Sequence, residues 1–264
     1  MQLQCDTHVE RNIRRVLPDG LSEMNLKMMH MHELVAFFIG RRNSGKSQLM
    51  RYVIRKRRKD IDMVVVFCLS EGANGFYANM MIPCKFIHTT YSVDKLIGVI
   101  NVMKRYPHLR KLLVFDDMGY LGKSFWNSAP LKELMFAGRH FKIGLMFAVQ
   151  YVMHIPIDAR FNFTHAFVMM DNALDIIHRI NNTFFSFIRP ADFLPIFQTF
   201  TRDHLAIVSL GESNRHNVGE CMRWIKSDMN CAPFLIGTDI YRSFYAQWQI
   251  DQYIEYHENI KKRQ

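Results

Sequence analysis

The stretch Leu34-Val35-Ala36-Phe37-Phe38-Ile39-Gly40-Arg41-Arg42-Asn43-Ser44-Gly45-Lys46-Ser47 decides the fold. Its first six residues are apolar and read as a buried strand. The next eight fit G-x-x-x-x-G-K-[ST], the spacing of a phosphate-binding loop. Gln48-Leu49-Met50-Arg51-Tyr52-Val53-Ile54 then suits a helix. Strand, glycine loop and helix form the context in which this motif works. The glycines let backbone N–H groups turn inward on phosphate oxygens, and the helix amino terminus adds a partial positive charge. Gly40, Arg41, Arg42, Asn43, Ser44, Gly45, Lys46, Ser47 and Gln48 are therefore expected to hold the phosphates of ATP. Lys46 is expected at the β- and γ-phosphates, and the Ser47 hydroxyl on Mg2+.

A second motif lies downstream. Lys111-Leu112-Leu113-Val114-Phe115-Asp116-Asp117 is an apolar strand ending in two acids. Beside a phosphate loop, such an end holds magnesium through water, which assigns Asp116 to the metal. Asp117, one step further, is positioned to orient and activate the attacking water. Between Gly40 and Asp116 the pattern has room for two strands and a helix. That suits the phosphate-loop proteins with an extra strand between the two motif strands, a branch of motors and pumps. A third strand, Gly144-Leu145-Met146-Phe147-Ala148-Val149, ends in Gln150. Ligands of parallel sheets bind at the carboxyl ends of strands, so Gln150 is expected near the γ-phosphate.

Strand-like runs at 34–39, 63–69, 86–89, 111–115, 144–149 and 166–169 alternate with helical patterns. The fold class expected is α/β, a phosphate-loop NTPase with a mainly parallel central sheet flanked by helices. Helices are expected from Ser92, from Pro130 to about His140, over 172–182 and over 190–200. Runs at 205–210 and 222–226 read as a late hairpin. The organisation expected is a polar lead-in over 1–33, an ATPase domain over 34–240 and a helical tail over 241–264. The methionines Met24, Met28, Met29 and Met31 suggest packing rather than metal binding.

Of the 264 residues, 49% are hydrophobic, enough for a large core, and the formal net charge is +10. That charge favours an anionic partner, nucleic acid before membrane. The five cysteines form no C-x-x-C pair, so a reducing, cytoplasm-like compartment is expected rather than a disulfide framework. Charged residues near the start predict no signal peptide, and no apolar run reaches the ~18 residues of a membrane span. Twelve histidines occur without metal-site spacing. The run Arg55-Lys56-Arg57-Arg58-Lys59 reads either as a DNA-phosphate or nuclear-import patch, or as a solvated helix end favoured by the helix dipole.

Ile39-Gly40-Arg41-Arg42-Asn43-Ser44-Gly45-Lys46-Ser47, Leu112 through Asp117, Gly138-Arg139-His140 through Gln150, and Met222 through Ser227 together carry a resemblance. Over roughly residues 30–240 the chain resembles the genome-packaging ATPases of large nucleocytoplasmic DNA viruses. These are the poxvirus-type branch of the FtsK/HerA superfamily, with a RecA/FtsK-like fold. The resemblance implies a homo-oligomeric ring that hydrolyses ATP to move double-stranded DNA into a capsid, with capsid or other packaging proteins as partners. It implies a viral-factory or virion-associated location and a nucleotide-sensing role for Gln150. It also implies an arginine finger supplied in trans, for which Arg139 is the candidate and Arg160 and Arg179 the runners-up. Asp116-Asp117 stands where the superfamily often has Asp-Glu. The alternatives are another DNA pump or helicase, a small phosphate-loop kinase, or an ATP-gated DNA-binding assembly protein.

Overall fold

A computed structural model of the chain describes residues 20–71, 75–211, 218–228 and 231–244. One eight-stranded sheet forms its centre: β1 Val35–Ile39, β2 Met63–Cys68, β3 Ile87–His88, β4 Lys111–Asp116, β5 Ile143–Val149, β6 His165–Val168, β7 Leu205–Leu210 and β8 Met222–Lys226. The spatial order is β3-β2-β4-β5-β1-β6-β7-β8. From β3 to β6 every pairing is parallel, and β7 and β8 add antiparallel. The strand between the two motif strands β1 and β4 is β5, as expected. The late hairpin strands also stand where the sequence indicates, although residues 212–217 of their connection lie outside the described region.

Parallel strands covered on both faces are apolar throughout rather than alternating. β1, β2, β4 and β5 are accordingly buried at every position. Register aligns Phe67, Phe115, Phe147 and Phe37 across these four strands. Their rings stack at 5.5, 5.1 and 5.3 Å between centroids. Such offset aromatic pairs add about 0.5–1.5 kcal/mol each beyond area burial. The row fixes the relative height of the strand ends, and the site is built on those ends.

The longer helices are α1 Lys46–Arg57, α2 Val93–Lys104, α3 Ala129–Ala137, α4 Leu174–Phe184 and α5 Pro190–Phe200. Ser92 caps α2, its hydroxyl accepting from the Lys95 amide. Pro130 and Pro190 stand in the first turns of α3 and α5, where a missing N–H costs nothing. The α4 helix begins two residues later than the pattern suggests. Lys111 is buried at the amino end of β4, and its ammonium donates to the Met103 and Tyr106 carbonyls at 3.0 and 2.6 Å. It thus closes the carboxyl end of α2, where a cation is favoured.

The lead-in expected to be polar is integrated with the core over its described part. Leu21, Met24, Met29 and Met31 are buried, while Met28 is exposed. Ser22 and Met24 exchange backbone hydrogen bonds with Trp224 of β8. Gly144 is required here, because a Cβ at that position would lie 1.8 Å from the Met31 carbonyl oxygen. The start of the tail is docked as well: Tyr241 is buried and its hydroxyl donates to the Val64 carbonyl at 2.7 Å. Residues 1–19 of the lead-in and 245–264 of the tail lie outside the described region.

Candidate nucleotide site

The phosphate loop leaves β1 at Gly40, whose amide donates to the Val149 carbonyl of β5 at 3.2 Å. It enters α1 through Gly45 at φ 94°, a left-handed conformation that glycine adopts without a Cβ clash. Asn43 is also left-handed, at φ 61°, which asparagine tolerates better than most residues. Leu49 N–H bonds the Gly45 carbonyl, so the helix is wound from its first turn and its leading amides face the cleft. The cleft encloses about 960 Å3. Its walls carry Arg42, Asn43, Gly45, Lys46, Ser47 and Gln48 from the loop, with Ser70, Asp117 and Gln150 opposite.

Lys46 is buried, and its ammonium donates to the Arg41 carbonyl at 2.9 Å. Burial pushes its pKa down, against the pull of the Asp116 and Asp117 charges. Arg41 itself is exposed and contributes that carbonyl rather than a cleft-lining side chain. Ser47 Oγ donates to Asp116 Oδ2 at 3.0 Å. Burial is the first cause that pushes the Asp116 carboxyl upward, and the neighbouring Asp117 charge adds to it. Hydrogen bonds from Tyr77 and Ser47 and the Lys46 charge oppose the rise. Ser44 Oγ and Gln48 Oε1 are buried without a hydrogen-bond partner, polar atoms a ligand can satisfy.

Two residues that sequence reasoning did not single out hold the acids. Tyr77, fully buried, donates its hydroxyl to Asp116 Oδ2 at 2.8 Å. Ser70, just past β2, donates a short hydrogen bond to Asp117 Oδ2. The Asp117 amide donates to Asp116 Oδ1 at 3.0 Å, so both oxygens of Asp116 are engaged. Asp117 is left-handed at φ 55°, a conformation that costs about 1–3 kcal/mol in a non-glycine residue. Cys68, two residues before Ser70, is pushed up to about 12, chiefly by burial, and stays a neutral thiol.

Gln150 reaches the cleft from the end of β5, as its position indicates. Arg139 does not reach it in the same chain. It is exposed in a 3-10 turn, Gly138–Phe141, that precedes β5 at the amino end of that strand, opposite the cleft. The seven residues of β5 span about 23 Å between the two ends. Of the runners-up, Arg160 donates to the Ile155 carbonyl at 2.8 Å and Arg179 lies 3.1 Å from the Met153 sulfur. No group of three or more His, Cys, Asp or Glu able to hold a metal ion occurs among the described residues, and no described helix is long and apolar enough to cross a membrane.

A family model described as Poxvirus A32 protein matches residues 23–208. Uncharacterized protein 088R of Invertebrate iridescent virus 3 is 24% identical over 225 residues, covering 80% of this chain and 83% of that protein. Uncharacterized protein 015R of Frog virus 3 is 26% identical over 205 residues, 74% of this chain and 63% of the relative. Among solved structures, the DNA-packaging ATPase B204 of Sulfolobus Turreted Icosahedral Virus superposes with a TM-score of 0.56 at 16% identity, covering 76% of this chain and all of B204. The genome packaging NTPase B204 of Sulfolobus turreted icosahedral virus 2, in complex with AMPPCP, gives 0.54 at 14% identity, covering 78% of this chain and all of that one. At these identities the structural likeness establishes a shared fold.

Proposed function

The chain belongs to the poxvirus A32 protein family, and on that premise we propose that it is an ATPase that packages viral genomes by driving double-stranded DNA into a capsid. The observation that carries this reading is the convergence of Lys46, Ser47, Asp117 and Gln150, from three strand ends, on one cleft beside Asp116. The α1 amino terminus and the Lys46 ammonium bind the β- and γ-phosphates of ATP. Phe76 and Tyr151, in the same cleft, give aromatic surface to the base.

Asp117 orients the attacking water and draws its proton, its carboxylate aimed by Ser70. Gln150 contacts the γ-phosphate or that water through its amide and so reports the state of the nucleotide. Ser47 and Asp116 are adjacent hard oxygen donors, one of them a buried carboxylate, and fit Mg2+, which when bound neutralises charge on the phosphate oxygens. Arg139, remote from its own cleft, serves the cleft of a neighbouring copy in a homo-oligomeric ring. Capsid or other packaging proteins complete the assembly. The setting is a reducing, cytoplasm-like viral factory, from which the protein can enter virions.

Movement along DNA is tested by displacement of a triplex-forming third strand from a long duplex. ATP-dependent release is expected, and its loss in Lys46→Ala. Release at the same rate without ATP contradicts the proposal.

A further inference from the structure

A second cleft, about 540 Å3, opens at the carboxyl end of α1. Four cations line it: Arg55, Arg58, Lys59 and Arg242. Arg55 stands in the last turn of α1, and Arg58 and Lys59 follow in a 3-10 turn. Arg242 comes from the far end of the described chain. It is carried there by the docked segment in which Thr238 N–H bonds the Asp62 carbonyl at 3.0 Å and Tyr241 bonds Val64.

Of the neighbouring cations outside this cleft, two are paired with acids and Lys56 lies over the Tyr52 ring. Arg57 pairs with Asp60 at 3.1 Å and Arg110 with Asp62 at 2.9 Å. Inside it, Arg55 lies 3.5 Å from Asp228, and Arg242 pairs with Asp239. Arg58 and Lys59 are exposed and form no ion pair among the described residues. Arg242 Nε is buried without a hydrogen-bond partner. The helix dipole accounts for cations in the last turn of α1. It does not account for a fourth cation brought in from another segment, nor for that unpartnered donor.

We propose that this cleft binds the phosphodiester backbone of duplex DNA. Arg58, Lys59 and Arg242 would donate to non-bridging phosphate oxygens, contacts that position a duplex and carry no sequence information. The choice of DNA as the source of phosphate rests on the packaging reading. α1 connects the two clefts: its twelve residues span about 18 Å, so a shift of the phosphate loop is carried along a rigid element to the DNA.

The test is fluorescence anisotropy of a labelled random-sequence duplex with the full chain, across a salt series. Arg58→Ala/Lys59→Ala is compared with Lys123→Ala/Arg202→Ala, which removes equal charge from exposed positions elsewhere. The first pair is expected to lose about tenfold in affinity at low salt and about two in salt slope, with DNA-free ATP hydrolysis unchanged. Arg58→Glu/Lys59→Glu enlarges the loss. An unchanged slope, or an equal loss in the control pair, overturns the cleft. If the double variant binds duplex normally but no longer binds inorganic tripolyphosphate, the cleft belongs to a small polyphosphate and the DNA assignment falls. A wild-type chain that hydrolyses ATP yet binds no duplex overturns the cleft and the DNA part of the packaging reading together. Duplex binding by the wild-type chain that the cleft substitutions leave intact overturns the cleft alone.

Discussion

The two ends of α1 both present positive charge, and they do so by opposite means. At the amino end, Lys46 is buried, Gly45 is left-handed, and Ser47 is hydrogen-bonded to Asp116. At the carboxyl end, Arg58 and Lys59 stand in solvent. The difference separates two kinds of anion recognition. A buried, hydrogen-bonded site pre-organises its donors for one ligand and for developing charge in a transition state. An exposed basic cleft offers replaceable, salt-screened contacts, suited to a polymer that must be held without being read.

Substitutions at the two ends should therefore fail differently. The largest expected effect is Lys46→Ala, which should lower ATP turnover on the order of 10³-fold, as loss of a preorganised donor does. Duplex affinity, measured by anisotropy without nucleotide, should remain. A parallel loss of duplex binding would merge the two ends into one site. Next is Asp117→Asn, expected to lower kcat about 10²-fold while ATP affinity by equilibrium titration is retained. Equal losses in both would mean that Asp117 binds rather than activates.

The Ser70 hydroxyl acts through the Asp117 carboxylate that it holds. Ser70→Ala should lower kcat about tenfold at constant KM, equivalent to one hydrogen bond to a charged group, and Ser70→Thr should restore it. A change confined to KM would make Ser70 a part of the cleft wall and nothing more.

The amino end of α1 was legible in the sequence because its parts are adjacent. Gly40 through Ser47 carry the loop in one run, and Asp116, Asp117 and Gln150 each end an apolar run that declares a strand. Ser70 and Tyr77 were not legible. They meet the acids because register sets Cys68 opposite Asp116, two residues before Ser70, and because the Tyr77 hydroxyl reaches Asp116 from further along the chain. No local spacing encodes those contacts. Arg55 through Lys59 were visible as charge, but the cleft needs Arg242, whose docking depends on Thr238 and Tyr241 reaching β2 and the residue before it. The lead-in read as polar because its core contacts are scattered. Leu21, Met24, Met29 and Met31 bury individually, without helical or strand period.

The smallest effect lies away from both ends. His165, at the start of β6, has its pKa pushed down to about 4 by burial and is neutral at pH 7. The unfolded chain takes up that proton near pH 6.5, so this residue's contribution to stability falls as pH drops from 6.5 toward 4. His165→Gln should flatten that part of the Tm-versus-pH curve while leaving ATP turnover at pH 7 intact. An unchanged curve would mean that His165 is hydrated.

The most direct test is steady-state ATP hydrolysis by the purified chain, with and without long duplex DNA, alongside Lys46→Ala. A DNA-packaging ATPase built on the two ends of α1 gives turnover that rises with duplex, weakens with salt and disappears in Lys46→Ala. Tight ATP binding with no turnover, whether or not duplex is present, contradicts it and makes the chain an ATP-gated scaffold.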